Sequence, residues 1–148
     1  MSSDSTSSDY QTITYENPAP GVARIVLDRP EVANAQDKRL LYELNSAFDA
    51  AVADDDVKVI ILGANGKHFS SGHDLRDRAG FDEFDTVGPV GGFTKAGDEG
   101  MMAREEEIYL GFCNRWRILP KPTIAQVQGK VIAGGLMLMW PCDLVVAS

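Results

Sequence analysis

Ser71, His73 and Asp74 lie within the run SSGHDL and supply the three residue types of a hydrolytic triad. Neighbours along one chain cannot line up as nucleophile, base and orienting acid, because those side chains must converge from separate elements. A local triad is therefore rejected. His68 and His73 lack companions at metal-ligand spacing, so no metal centre is indicated. What a small-small-Gly-X-Asp turn offers instead is bare backbone. Gly72 tolerates dihedrals closed to other residues and leaves the His73 N–H free to face an anion, although an ordinary turn uses the same residues. The second element is Ala133-Gly134-Gly135 ahead of residues 136–139. Glycines that open a helix expose N–H groups at the positive end of its dipole, and tight helix–strand packing asks for the same glycines. Taken together, two such donors after two apolar strands could form an oxyanion hole. Each donor there is worth about 3 kcal/mol toward a developing enolate or tetrahedral intermediate.

The elements that must position these donors follow from periodicity. Residues 12–15 and 22–27 read as a hairpin around the turn 18–21 (PAPG), closed by Arg29-Pro30. Asn34 is a candidate cap for a helix over about 36–52, with Leu40, Leu41, Leu44, Phe48 and Ala51 on one face. Asp54, Asp55 and Asp56 read as a solvated turn. Residues 57–62 (VKVIIL) form a near-continuous apolar strand of the kind buried on both faces of a parallel sheet. Gly63, Asn65 and Gly66 then turn the chain into residues 68–75. A helix over about 99–119, with Ile108, Phe112, Trp116 and Leu119 apolar, stops at Pro120 and Pro122. Strands at 124–127 and 144–147 flank the glycine-rich turn and its short helix. The order β–β–α–β–loop–α–β–α–β implies an α/β fold.

Composition bounds the rest. The chain has 148 residues, 44% hydrophobic and 24% charged, which suits one folded domain rather than general disorder. A net charge of -8 disfavours non-specific nucleic-acid binding. The charge is uneven: residues 77–107 carry -6 and are glycine-rich, as expected of a surface excursion, whereas residues 108–148 carry +3 and read as interior. Cys113 and Cys142 cannot make a disulfide framework and fit a reducing compartment. The first ten residues, MSSDSTSSDY, lack the features of a signal peptide, and residues 1–9 read as a disordered tail. No apolar run is long enough to span a bilayer. A cytoplasmic location and no membrane partner are the expectation.

Four stretches carry a resemblance to a known family: VARIVLDRPEVANAQDKRLLYEL, VKVIILGANGKHFSSGHDL, KPTIAQVQG and KVIAGGLMLMWPCDLVVAS. In order and spacing, from about residue 10 onward, they resemble the N-terminal portion of the enoyl-CoA hydratase/isomerase, or crotonase, superfamily. The resemblance implies an α/β, crotonase-like (ClpP/crotonase) ββα spiral fold, with 10–148 as its N-terminal core and without the C-terminal helical part. It implies that the backbone N–H groups of His73 and Gly134 polarise the thioester carbonyl of an acyl-CoA, in fatty-acid or related metabolism. Glu31, Val32, Ala33 and Ala35, with Gly72, Asp74 and Leu75, match positions lining the CoA and acyl channel. Asp74 is read as holding the turn, and the His73 side chain as incidental. No cofactor is implied beyond acyl-CoA as substrate, and a trimer or hexamer is expected from the family.

One departure limits the activity. Hydration in this family uses two glutamates as acid and base. The position of the first, three residues after Gly134, is Met137, and the second lies beyond Ser148. Glu105, Glu106 and Glu107 are candidates by chemistry alone, and a solvated helix face is the reading preferred for them. An isomerase-like, hydrolase-like or other one-base reaction is thus expected of a full-length relative, and little or no hydration from this chain. A non-catalytic acyl-CoA binder or inactive remnant is the alternative.

Overall fold

Two prolines and a glycine, at residues 18, 20 and 21, mark the end of the first strand and the turn into the second. The computed structural model describes residues 10–77 and 80–148; the stretch 1–9, expected to be disordered, lies outside the described residues. Strand β1 (Ile13–Ala19) pairs antiparallel with β2 (Val22–Leu27), and Gly21 takes φ +79° at the turn. β1 runs past the expected end at residue 15, with an irregularity in register between Glu16 and Ala19. Asn17 and Pro18 fall there, and an edge strand is where a proline is tolerated. β3 (Val59–Ala64) starts two residues later than VKVIIL suggests, because the N–H groups of Lys58 and Val59 both reach the Gly21 carbonyl oxygen. With β4 (Thr123–Val127) and β5 (Leu144–Ala147) the sheet order is β1-β2-β3-β4-β5, and every pair after the first is parallel. The α/β expectation is met.

Helix α1 (Lys38–Ala53) lies over this sheet and buries Leu40, Leu41, Leu44, Ala47, Phe48 and Ala51. Its cap is Asp37, whose carboxylate accepts from the Leu40 N–H, and not Asn34 as expected. Asn34 is instead wholly buried with φ +52°: its amide donates to the carbonyls of Asn65 and His68, and its Oδ1 accepts from the Arg29 N–H. The side chain binds backbone across three segments, a stronger demand than capping. Phe48 also meets the Trp116 ring, centroids 5.5 Å apart, and the indole N–H donates to Asn45.

The helix expected over 99–119 is three pieces: α2 (Gly97–Glu105), a wider turn (Glu106–Gly111) and α3 (Phe112–Arg117). The wider turn brings the Glu106 carbonyl to 2.9 Å from where a Cβ on residue 111 would stand, so only glycine fits there. It also turns Glu107 inward, where it is 1% exposed and accepts from the N–H groups of Val87 and Gly88. The solvated-face reading therefore fails for Glu107, which anchors the glycine-rich segment rather than facing water.

Residues 108–148 are only partly interior. Helix α4 (Gly134–Met139) buries Leu138, but Leu144 and Val146 of β5 are each 61% exposed, and Trp140 is 63% exposed. Asp143, immediately before β5, accepts from the Thr123 N–H and hydroxyl, which holds its carboxyl below the usual range. Cys113 and Cys142 are free thiols; burial pushes them up to about 11 and about 12.

Phe48→Ala removes the ring between sheet and α3 and is expected to cost about 3–4 kcal/mol in urea unfolding, with the m-value unchanged. The raised thiols make a second prediction. A group held neutral above its ordinary value of 9.0 adds stability that is present below pH 9 and is lost as pH rises toward 11–12. At pH 8 the folded chain should react with an aromatic disulfide reagent roughly tenfold or more slower than the chain in urea. Equal rates would show that the thiols are open.

Candidate active site

Beyond the C-terminal ends of β2, β3 and β4 the chain continues the sheet in three short extended segments, and the site forms between them. Parallel α/β sheets place ligands in such a crevice at their carboxyl ends. The Gln36 N–H donates to the Gly72 carbonyl (2.8 Å) and the Asp74 N–H to the Gln36 carbonyl (2.8 Å), which makes residues 36 and 73 a parallel bridge. On the other side Ser70 N–H donates to the Lys130 carbonyl and Ile132 N–H to the Ser70 carbonyl. Carbonyls and N–H groups alternate in direction along an extended chain. The groups of Gly72 and Asp74 are spent on residue 36, so those of His73 face away from it, toward the Ile132–Gly134 segment.

That segment comes very close. A Cβ on Gly72, which has φ +95°, would stand 2.8 Å from the Ile132 carbonyl oxygen and 3.3 Å from the Gly134 nitrogen. Ala133 takes φ +45° and ψ -114°, a rarely populated conformation, and turns the chain from the bridge into α4. Gly134 is the first helical residue, so its N–H has no partner within the helix. Among the described residues neither the His73 N–H nor the Gly134 N–H has an acceptor. Two backbone donors without acceptors thus lie on the two segments that approach each other at Gly72 and Gly134.

The side chains around it differ from the sequence expectation. The His73 ring is exposed but not idle: it stacks on Tyr109, centroids 4.1 Å apart at 22°. Its Cδ2 lies 2.2 Å from where a Gly134 Cβ would be, so the imidazole occupies the space that glycine leaves. Burial, then Glu105 and Asp77, push the Tyr109 phenol well above its usual range, and it stays neutral. Sequence reading assigned Tyr109 no role, and no local pattern marks it, because its placement depends on the wider turn at residues 106–111; Cys113 Sγ donates to the Met137 carbonyl at 3.2 Å and sets the following helix against α4.

The other residues expected at the site fall into two groups. Ala33 accepts at its carbonyl from the Ser71 N–H, Ala35 is buried, and Gly72 and Asp74 belong to the bridge itself. The Asp74 carboxylate accepts from Arg29 and from the Arg76 N–H, and Arg29 also pairs with Asp37, tying the turn to the cap of α1. Glu31, Val32 and Leu75 lie at the exposed rim, Leu75 at 86%. Met137 is half-buried on α4. His68 accepts at Nδ1 from the Lys130 N–H, and among the described residues no group of three His, Cys, Asp or Glu could hold a metal ion.

A mostly parallel sheet with a backbone donor pair beyond the ends of β3 and β4 defines a crotonase-type fold, and the comparisons agree. Residues 17–148 match the model of the enoyl-CoA hydratase/isomerase family, and the chain belongs to that family. It is 44% identical over 147 residues to EchA13 of Mycobacterium tuberculosis (strain ATCC 25618 / H37Rv), which carries an enoyl-CoA hydratase name; the match covers 95% of this chain and 46% of that protein. The crystal structure of a probable enoyl-CoA hydratase from Mycobacterium smegmatis is similar with TM-score 0.74 and 46% identity, over 92% of this chain and 48% of that one. An enoyl-CoA hydratase/isomerase from Xanthobacter autotrophicus Py2 gives TM-score 0.70 and 39% identity, over 93% and 46%. The chain spans about half the length of the relatives it matches, and it has the fold of that half.

Gly134→Ala should destabilise by about 2 kcal/mol, because the new methyl must displace the imidazole. In a His73→Ala background the cost should fall by about 1 kcal/mol or more, a coupling measured by urea unfolding of the four proteins. The same cost in both backgrounds would show that the ring is not the obstacle.

Proposed function

We propose that this chain holds an acyl-CoA thioester with its carbonyl oxygen between the His73 and Gly134 N–H groups, and that it stabilises the enolate-like charge that develops there. The observation that carries this reading is the pair of backbone donors without acceptors on two closely approaching segments, in a chain of the enoyl-CoA hydratase/isomerase family. Such donors are fixed by the fold before the ligand arrives, so they stabilise new negative charge without reorganising. Glu31, Val32, Ala33, Ala35, Gly72, Asp74 and Leu75 are proposed to line the CoA and acyl channel around them. Acyl-CoA is the substrate, no other cofactor is invoked, and the setting is cytoplasmic acyl-CoA metabolism. A homotrimer or hexamer is proposed as the assembly, with neither nucleic acid nor membrane as a partner.

Hydration is not proposed for this chain. Adding water across a double bond needs an acid and a base at the reacting carbons, and Met137 has no proton to give or take. Glu107 is no substitute, since its carboxylate is engaged by Val87 and Gly88. A one-base isomerase-like or hydrolase-like step is the enzymatic reading for a longer chain with the same donors. The second reading, a binder or inactive remnant, is favoured by Met137 itself. Calorimetric titration should give saturable heat with butanoyl-CoA and weaker heat with free CoA. No heat with either would overturn the proposal. Absorbance of a 2-enoyl-CoA should show no loss above background, and clear turnover by the pure protein would overturn the exclusion of hydration.

A further inference from the structure

The His73 ring lies on the second donor of the pair. Its Cδ2 and Nε2 atoms are 2.2 and 2.4 Å from the point a Gly134 Cβ would occupy, so the imidazole takes the space that the missing side chain leaves. Gly134 is buried, and its N–H has no acceptor among the described residues. The ring makes no hydrogen bond of its own there; what holds it is the stack on Tyr109, centroids 4.1 Å apart at 22°. His73 is exposed, so rotation about its Cα–Cβ bond can carry the ring into water. Tyr109 is not free to follow. It stands on the wider turn Glu106–Gly111, two residues after buried Glu107, whose carboxylate ties that turn to the N–H groups of Val87 and Gly88.

A movable ring resting on a fixed one, over a donor with nothing to bind, makes a two-position element. Closed, it gains the aromatic stack but leaves a buried N–H unpaired, which is costly. Open, it gives up the stack and frees the N–H to meet an acceptor. An oxygen that pairs with the N–H binds the open position alone and so shifts the balance. Resting on the thioester reading above, we infer that the His73 side chain is a lid on the Gly134 donor, closed against Tyr109 in the free protein and swung out when a thioester carbonyl oxygen takes the N–H. His73 thus acts twice at one site: its backbone donates to the oxygen, and its ring governs when the other donor is reachable. The closed lid lowers affinity for every thioester alike, in proportion to the fraction of molecules that are closed.

His73→Ala removes the ring and keeps the backbone N–H, and should bind butanoyl-CoA about tenfold more tightly by calorimetry. Tyr109→Leu leaves His73 in place without its stack and should also tighten binding. The double variant should bind no more tightly than His73→Ala, since both changes act through one ring. Melting curves confirm folding, and either single variant carries the test if the other does not fold. Proton NMR follows the ring directly: the chain has two histidines, and the His73→Ala spectrum assigns the His73 signals. Saturation of the unmutated protein with butanoyl-CoA should move those signals toward their positions in ligand-free Tyr109→Leu. Binding no tighter than that of the unmutated protein in either folded single variant would overturn the inference and leave the thioester reading intact. His73 signals that stay in place at saturation would do the same. No binding of butanoyl-CoA by the unmutated protein or any variant would overturn both.

Discussion

The approach of two backbone segments that have no room for side chains governs this structure. Gly72 and Gly134 face each other so closely that a Cβ on either would collide, with the Ile132 carbonyl in one case and the His73 ring in the other. That closeness cannot be obtained by packing, because packing requires side chains. It is obtained by hydrogen bonding: the ladder of the parallel sheet continues past the ends of β2, β3 and β4 through the bridges at residues 36 and 73 and at residues 70 and 131. The chain then departs from the ladder at Ala133, and the N–H groups on either side of the departure remain unpaired. A site made of backbone needs the sheet beneath it to be rigid.

Buried polar groups supply much of that rigidity. Asn34 joins three segments through its amide, and Ser70 joins Asn34, Gln36 and Gly72 through one hydroxyl. Arg29 reaches the Ala35 carbonyl and the carboxylates of Asp37 and Asp74, so helix α1 begins where the turn is held. Each of these groups is costly to bury unpaired, and each is therefore selective for one arrangement of the loops around it. The apolar core under α1 would tolerate other hydrophobic packings more readily than this layer would tolerate other polar ones.

These two layers were not equally legible in the sequence. The strands and the α1 stripe were readable because burial imposes periodicity on Leu40, Leu41, Leu44, Phe48 and Ala51, whereas Gly72 and Gly134 are compatible with a donor pair without requiring one, since an ordinary turn and close helix–strand packing use the same residues. The ends of elements were less so. Asn34 and Asp37 are both good caps, and only the three-dimensional position of Asn65 and His68 takes Asn34 away from the helix. Glu107 looks like one more charge in a run of three; its burial depends on the wider turn at residues 106–111, which the distant N–H groups of Val87 and Gly88 help to fix. Gln36 reads as an ordinary helix-start residue until the Ser70 hydroxyl determines which way its amide faces. Long-range hydrogen bonding leaves no local pattern, which is why polar residues were misread more often than apolar ones.

The same division separates what this chain can do from what it must obtain from elsewhere. Backbone donors stabilise charge at any pH at which the fold persists, because they do not titrate. Moving a proton needs a side chain with a suitable pKa and reach, and Met137 on α4 has no proton to give or take. Of the glutamates at 105–107, the buried one has its oxygens committed to a loop, and releasing it would leave two N–H groups unpaired. His73 is the titratable side chain in contact with Gly134, and it lies against Tyr109 rather than against a second acid. On the thioester reading proposed above, two backbone donors without an adjacent acid or base would hold a polarised carbonyl more readily than they would consume it.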